Sequence, residues 1–161
     1  MLEYCDGGNL KDRIEKKAKF SDETIIKWSK EILTGIDYLH SCNIMHRDIK
    51  PANILLLKNN QIKIGDLGSV KNLNESVAKS DVGTPLYMSP EMIRFKNDKS
   101  INITTKTDIW SIGLVFYELL TLKRLFKQTI KDKLLNEILN FDSDKLELDE
   151  NDQFLEDVLK Q

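Results

Sequence analysis

The sequence predicts a mainly helical domain of the α+β class that carries one small β-hairpin. Three patterns indicate this class: an amphipathic helical repeat in the first third, a short hairpin pattern after it, and an apolar run over residues 107–121. At 161 residues, the chain is long enough to bury one sizeable hydrophobic core. We therefore expect a single domain built around the apolar run.

Two helices are predicted ahead of the hairpin. Residues 9–17 form a short charged segment that follows a glycine pair and favours a helix. Ser21 is a typical N-cap, and the acidic residues that follow it suit the positive end of a helix dipole. Apolar residues then recur at steps of three and four, at Ile25, Trp28, Ile32, Ile36 and Leu39. This spacing predicts an amphipathic helix that ends near His40-Ser41.

The hairpin is predicted from two short apolar runs separated by a turn. The runs cover residues 54–57 and 61–64, and Asn59-Asn60 between them tolerates the left-handed turn conformation. Such a hairpin folds the chain back on itself. We therefore expect Asn53 and Asp66, which flank it, to lie side by side.

The second half contains a loop, a central helix and a weaker end. Residues 69–91 are polar and lack periodicity, which predicts a loop. Residues 107–121 are apolar on nearly every face, which predicts a helix buried in the centre of the domain. Residues 130–139 and 153–159 predict weaker amphipathic helices, and the acidic stretch 142–157 predicts a solvated connector.

Composition disfavours several function classes. A formal charge of −2 gives no basic footprint for nucleic acid or for a membrane surface. The most apolar stretch, 109–122, is too short to span a bilayer and contains Ser111 and Glu118. Cys5 and Cys42 are isolated, and the start of the chain has no secretory signal pattern. We expect a soluble protein of the reducing cell interior, in the cytoplasm or the nucleus, with no nucleic-acid or membrane partner.

Two motifs on either side of the predicted hairpin carry the chemistry. The first is His46-Arg47-Asp48-Ile49-Lys50-Pro51-Ala52-Asn53, and the second is Gly65-Asp66-Leu67-Gly68. The first fits the H-R-D-x-x-x-x-N catalytic loop, and the second differs from D-F-G at one position. The chain resembles the C-terminal lobe of a eukaryotic-type serine/threonine protein kinase domain.

The resemblance implies a phosphoryl-transfer site that uses ATP and Mg²⁺. It makes Asp48 the catalytic base, places Lys50 against the transferring phosphate, and makes Thr84 a residue that positions both. It makes Asn53 and Asp66 the magnesium ligands, because hard oxygen donors suit this ion. A lysine two residues after the aspartate is the serine/threonine form, so the implied substrate is a protein serine or threonine.

The resemblance also places a nucleotide pocket at the start of the chain. Residues 1–10 resemble the hinge that joins the two kinase lobes, with Leu2 at its back pocket. The carbonyl of Glu3 and the amide of Cys5 would face the adenine edge, and Asn9 would lie near the ribose. Leu55 would form the apolar floor of the pocket, although a strand residue there is expected to be buried in any case.

Several other residues would support the site. His46 would pack under Leu67, which stands in an apolar slot where the family usually has phenylalanine. Asp108 would brace the backbone of the catalytic loop; the simpler alternative is a charge favoured at a helix start. Glu91 normally pairs with a later arginine that has no counterpart here, which predicts an unpaired buried charge.

Regulation by phosphorylation is also implied. Ser80 and Ser76 are candidate phosphosites in the predicted loop, and a phosphate there would gain charge-assisted bonds to Arg47. A serine in a loop is often simply solvated, so this alternative stays open.

The branch of the kinase family that the chain is most similar to is the NIMA-related kinases. Four segments carry that similarity, at residues 3–10, 48–54, 83–91 and 119–126. The resemblance covers residues 1–161 as a partial domain, from the hinge to the late C-lobe helices and truncated at both ends. The seven glycines form no G-x-G-x-x-G, so the N-terminal lobe is expected to be absent.

These expectations leave alternatives open. We expect little or no kinase activity from the 161-residue chain itself. The alternatives are a non-catalytic, pseudokinase-like binding module, an incomplete gene model of an active kinase, and, less favoured, a dual-specificity kinase. Loss of the upper lobe would also expose an apolar roof around Leu2, Leu55 and Ile64, which predicts a partner that covers it.

Overall fold

A computed structural model of the chain describes residues 4–72 and 84–145. The helices in this part are α1 (Leu10–Glu15), α2 (Asp22–Ser41), α3 (Pro90–Asn97), α4 (Lys106–Thr121) and α5 (Lys131–Leu139). The strands are β1 (Ile44–Met45), β2 (Ile54–Leu56), β3 (Ile62–Ile64) and β4 (Lys71–Asn72). β1 pairs with β4 and β2 with β3, both antiparallel.

The first two predicted helices are confirmed, together with their N-terminal caps. The side chain of Asn9 accepts a hydrogen bond from the Asp12 amide at 2.9 Å and caps α1. The Ser21 hydroxyl accepts from the Thr24 amide at 3.3 Å and caps α2. α2 buries the predicted apolar face, with Ile32 and Ile36 almost fully inaccessible.

The predicted hairpin is confirmed, and α2 fixes its position. β2 and β3 pair with Leu55 opposite Lys63, and Asn60 in the turn adopts a positive φ of 59°. The indole Nε1 of Trp28 donates to the Asn60 carbonyl at 2.9 Å. The Glu31 carboxylate accepts from the Ile62 amide at 2.8 Å. These two bonds attach the hairpin to the long helix that precedes it.

An unpredicted contact joins the start of the described chain to the hairpin. The Gly7 amide donates to the Leu56 carbonyl at 2.8 Å, and the Leu56 amide donates to the Gly8 carbonyl at 2.9 Å. Asn9 forms an isolated antiparallel bridge with Leu55. A Cβ atom on Gly7 would come within 2.7 Å of the Leu56 carbonyl oxygen. Only glycine therefore permits this approach without a backbone shift.

Alanine at Gly7 and at Gly113 is expected to have opposite effects on stability. In Gly7→Ala the added Cβ pushes the backbone of residue 7 away from β2, which should lower the unfolding free energy by about 1–3 kcal/mol. A Cβ on Gly113, inside α4, meets nothing within 4 Å. Gly113→Ala should therefore stabilise by about 0.5–1 kcal/mol, because alanine has the higher helix propensity. Urea unfolding of the two variants checks both signs, and a stable Gly7→Ala would contradict the close approach.

α4 forms the centre of the hydrophobic core, but it is not buried on every face. Ile112, Val115 and Leu119 are almost inaccessible, in agreement with the prediction. Ile109 remains 46% exposed, and Gly113 is exposed as well. The prediction of a helix buried in the centre of the domain is therefore confirmed, and one face of it is exposed.

The other predictions for the second half of the chain are confirmed only in part. α5 matches the helix predicted over residues 130–139. α3 was not predicted, although Ser89 caps it by accepting from the Met92 amide at 3.4 Å and Pro90 occupies its first position. The predicted helix at 153–159 and most of the acidic connector lie outside the described residues. Of the helices in the described ranges, none combines the length and the hydrophobicity needed to cross a membrane.

Candidate active site

The loop between β1 and β2 is fixed from below by one buried carboxylate. Asp108, in the first turn of α4, is 1% exposed. It accepts hydrogen bonds from the backbone amides of His46 at 2.9 Å and Arg47 at 2.8 Å. Its Oδ2 also lies 2.8 Å from Nε2 of His40. The structure thus places Asp108 directly under the loop, and the contact with His40 was missed.

Arg47 has an unusual backbone for a buried side chain. Its φ of 66° lies in the left-handed region, which a non-glycine residue adopts only when its surroundings hold it there. Burial lowers the pKa of the guanidinium, and the charge of Asp108 opposes that shift. The predicted phosphosites Ser76 and Ser80 lie outside the described residues, so the expected pairing with Arg47 stays a prediction.

Four donors surround the carboxylate of Asp48. Its Oδ1 accepts from the Thr84 amide and from the Thr84 hydroxyl, both at 3.1 Å. Its Oδ2 accepts from Lys50 Nζ at 2.6 Å and from Asn53 Nδ2 at 3.1 Å. An ionised carboxylate offers about four acceptor positions. Any further donor, such as a substrate hydroxyl, must therefore displace one of these partners.

Lys50 and Thr84 complete this cluster. The Lys50 ammonium donates to the Thr84 hydroxyl at 2.8 Å while it contacts Asp48. Thr84 follows the undescribed stretch 73–83 and precedes a 3-10 turn at Pro85–Tyr87. The structure therefore brings together Asp48, Lys50, Asn53 and Thr84.

Asn53 holds its amide in one orientation. Besides the bond to the Asp48 carboxylate, Nδ2 donates to the Asp48 carbonyl at 2.9 Å. With Nδ2 engaged twice, Oδ1 faces away from these contacts, and it has no donor among the described residues. This uncommitted hard oxygen has the chemistry of a magnesium ligand.

Asp66 is brought next to Asn53 through the backbone. The Gly65 amide donates to the Asn53 carbonyl at 2.8 Å, and Asp66 follows in the left-handed conformation with φ 58°. Its side chain is exposed, so its oxygens are accessible to a ligand. In the described ranges, no group of three or more His, Cys, Asp or Glu side chains is arranged so that it could hold a metal ion. Magnesium does not require one, since it takes one or two carboxylates together with water and phosphate oxygens.

Two supporting residues differ from their predictions. Leu67 is 51% exposed, so it does not fill an apolar slot, and fully buried His46 instead contacts the Gly65 carbonyl through Nε2 at 3.0 Å. Glu91 is half-buried and accepts from the Thr107 hydroxyl at 3.0 Å, while no cation among residues 4–72 and 84–145 forms an ion pair with it, so the predicted charge is hydrogen-bonded and not fully buried.

The predicted nucleotide pocket is described only in part. Glu3 and Leu2 lie outside the described residues, and Cys5 is half-buried. Asn9 is engaged at both ends of its amide, because Nδ2 also donates to the Asp12 carboxylate at 2.9 Å. Leu55 is half-buried beside Gly65, where a Cβ atom would come within 2.7 Å of Leu55 Cδ1.

The expected apolar roof is only partly exposed. Leu55 and Ile64 are both half-buried, and Ile64 packs against the core. Whether a partner covers this face stays a prediction.

A buried hydrogen-bonded pair, formed by Tyr87 of the 3-10 turn and Glu118 of α4, was not predicted from the sequence. The Tyr87 hydroxyl donates to the Glu118 carboxylate at 2.8 Å, and the Ser111 hydroxyl donates to the Tyr87 carbonyl at 2.8 Å. Burial raises the pKa of the Glu118 carboxyl, while the bond from Tyr87 and the charge of Arg124 lower it. Burial, together with Glu118, raises the pKa of the Tyr87 phenol. These residues are 31 positions apart, so sequence spacing gives no signal for the pair.

Glu118→Gln is expected to stabilise the fold increasingly as the pH rises. Because folding raises the pKa of Glu118, the folded state binds its proton more tightly. The stability that protonated Glu118 contributes is fully present below the pKa that Glu118 has in the unfolded state. It is lost as the pH rises through the pKa that Glu118 has in the folded state. Glutamine resembles the protonated form and still accepts from Tyr87. Urea unfolding at about pH 4 and about pH 7 should show the gain at the higher pH only, with Asp37→Asn, at an exposed position of α2, as the control.

Comparison with known proteins assigns the chain to a family. The sequence-family model described as protein kinase domain matches residues 1–160 of the chain. The chain belongs to the protein kinase domain family. Serine/threonine-protein kinase Nek9 of Mus musculus is 46% identical over 132 residues, which cover 80% of this chain and 13% of that protein. Nek6 of Oryza sativa subsp. japonica is 41% identical over 138 residues, covering 84% and 25%.

A third relative agrees with these two. Nek5 of Mus musculus is 44% identical over 132 residues, which cover 79% of this kinase-domain chain and 20% of Nek5. The similarity to NIMA-related serine/threonine kinases is therefore confirmed. The chain spans 13–25% of the length of these three relatives.

Proposed function

We propose that this chain forms the C-terminal lobe of a kinase domain that transfers the γ-phosphoryl group of ATP to a serine or threonine hydroxyl of a protein substrate. The observation that supports it most is the cluster in which Asp48, Lys50 and Thr84 lie within hydrogen-bond distance of one another. Phosphoryl transfer requires mainly positioning and charge stabilisation, and this cluster provides both.

Each member of the cluster has a distinct task in the proposed reaction. The substrate hydroxyl takes the place of one donor on Asp48, which orients its oxygen towards the γ-phosphorus. As the new O–P bond forms, the bond to the ADP oxygen breaks and the hydroxyl proton passes to Asp48. The Lys50 ammonium, 2.6 Å from Asp48, stabilises the negative charge of the transferring group.

Two further side chains are proposed to hold the metal. Asn53 through Oδ1 and Asp66 through its carboxylate would bind Mg²⁺, which neutralises phosphate charge when bound. The two hydrogen bonds that Asn53 Nδ2 donates to the carbonyl and the carboxylate of Asp48 keep Oδ1 in place for this task.

The nucleotide base is proposed to lie between the start of the chain and β2. Backbone groups of Glu3 and Cys5 would meet the adenine edge, and Leu55 would lie beneath the ring. Because Asn9 caps α1 through Oδ1 and contacts Asp12 through Nδ2, it would offer the ribose its remaining N–H and the second lone pair of Oδ1. Phosphorylation at Ser80 or Ser76 is proposed to act through Arg47.

The test is a chimera in which the kinase residues that precede the matched region of mouse Nek9 are joined to this chain. We expect magnesium-dependent transfer of radiolabelled phosphate to protein serine or threonine, lost in Asp48→Asn. A folded chimera without Asp48-dependent transfer would refute the proposal and favour a binding module. The 161-residue chain, which contains no G-x-G-x-x-G, should show negligible turnover by itself.

A further inference from the structure

A groove runs from the candidate active site towards α5. It has a volume of about 660 Å³, and it begins at Thr84, whose hydroxyl donates to Asp48 at 3.1 Å. Leu86, Phe126 and Leu134 form its apolar wall. A groove of this size accommodates side chains of a bound peptide. A peptide that presents a hydroxyl to Asp48 would therefore have its neighbouring residues at the groove.

The charged residues that line this groove are all cations. They are Arg124, Lys127 and Lys131, and each is exposed. No aspartate or glutamate lines the groove. Within residues 4–72 and 84–145, no carboxylate forms an ion pair with any of the three. On a chain whose formal charge is −2, this is a local excess of positive charge that attracts anions.

The two lysines matter more than the arginine. Arg124 also acts on the buried Glu118, since its charge lowers the pKa of that carboxyl. Lys127 and Lys131 face solvent beside the apolar wall, and α5 carries Lys131 at its first residue. A ligand that suits this arrangement combines an apolar side chain with adjacent carboxylates or phosphates.

We propose that this groove selects protein substrates with acidic residues next to the phosphoacceptor, through Lys127 and Lys131. The inference rests on the proposed kinase function and specifies its substrate class. The apolar wall holds a hydrophobic side chain of the same segment, and the lysines bind the acidic side chains beside it.

The test measures peptide binding to the 161-residue chain by fluorescence anisotropy. The peptides carry a central serine and one leucine, with glutamate, glutamine or lysine in the flanks on either side. We expect the glutamate peptide to bind about three- to tenfold more tightly than the glutamine peptide, and the difference to shrink at high salt. Equal affinity of these two peptides would overturn the proposal.

Variants of the chain localise the effect. In the double variant K127E/K131E, the preference for glutamate should disappear. Lys133 is an exposed residue of α5 that does not line the groove. The control Lys133→Glu makes the same change of charge at one site and should keep the preference for the glutamate peptide. Matched melting temperatures establish that each variant is folded. A preference that persists in the double variant would place it elsewhere and refute the assignment.

The outcome is separable from that of the kinase proposal. Peptide selection needs neither ATP nor transfer, so peptide binding to the chain and phosphate transfer by the chimera are measured independently. If the preference is present while the Nek9 chimera transfers no phosphate, the groove assignment stands as a binding function and the kinase proposal fails. If the chimera transfers phosphate equally to glutamate and glutamine peptides, the kinase proposal stands and the groove assignment fails.

Discussion

Asp108→Ala is expected to lower the free energy of unfolding by about 2–6 kcal/mol, because each orphaned buried donor costs about 1–3 kcal/mol. Asp108 accepts from the amides of His46 and Arg47 and contacts His40, and it is almost inaccessible to water. Alanine leaves both amides unpaired in the interior. It also removes what holds Arg47 at a positive φ, so the loop before Asp48 should lose its order.

Urea unfolding of the purified chain measures this effect. Asp108→Asn keeps one oxygen acceptor and nearly the same shape, so its loss should be smaller than that of alanine. Asp37→Ala, an exposed aspartate of α2, should change stability by less than about 0.5 kcal/mol. Amide exchange at His46 and Arg47 should rise in Asp108→Ala alone. An alanine variant as stable as the Asp37 control would contradict the role of Asp108 as the support of the loop.

Asn53→Asp is expected to be nearly as damaging, although it replaces one atom. The substitution removes the donor that bonds to the Asp48 carbonyl and carboxylate, and it puts a second carboxylate about 3 Å from the first. Two like charges at that distance repel by roughly 5–6 kcal/mol at an effective dielectric constant of about 20. Together with the lost hydrogen bonds, we expect a loss of about 3–5 kcal/mol at neutral pH, after partial relaxation of the pair.

The pH dependence identifies the cause of that loss. Two adjacent carboxylates share a proton when the pH falls, which replaces the lost donor with a new one. The destabilisation by Asn53→Asp should therefore shrink as the pH is lowered towards about 5, as measured by thermal unfolding. Asn102→Asp, at an exposed position, provides the same change of charge without this neighbour. A loss that is constant over the pH range would point to packing instead of repulsion.

The elements that the sequence predicted share one property: their signals are local. α1, α2 and the hairpin are marked by caps, periodic apolar residues and turn asparagines within a few positions. The pairing of β1 with β4 is two residues long, too short for any periodicity. α3 did carry local signals in Ser89 and Pro90, but its start was interpreted as the end of a loop.

The parts of the site that were missed depend on contacts between distant residues. His40 and Asp108 are 68 positions apart, and each was interpreted alone, as a helix end and as a support of the loop. Leu67 was expected to be buried because phenylalanine usually stands at that position, yet half of its side chain is exposed. The loop motif predicted which residues gather near Asp48, whereas their hydrogen-bond partners became visible only in three dimensions.

The backbone contact between Gly7 and Leu56 has a mechanical consequence. The first residues of the described chain bond to β2, and β2 follows Asn53 directly along the chain. A displacement of residues 7–9 would therefore pull on the strand whose preceding residue bonds to Asp48. The position of residues 7–9 is thus coupled, through a few main-chain bonds, to the side chains proposed to hold the metal.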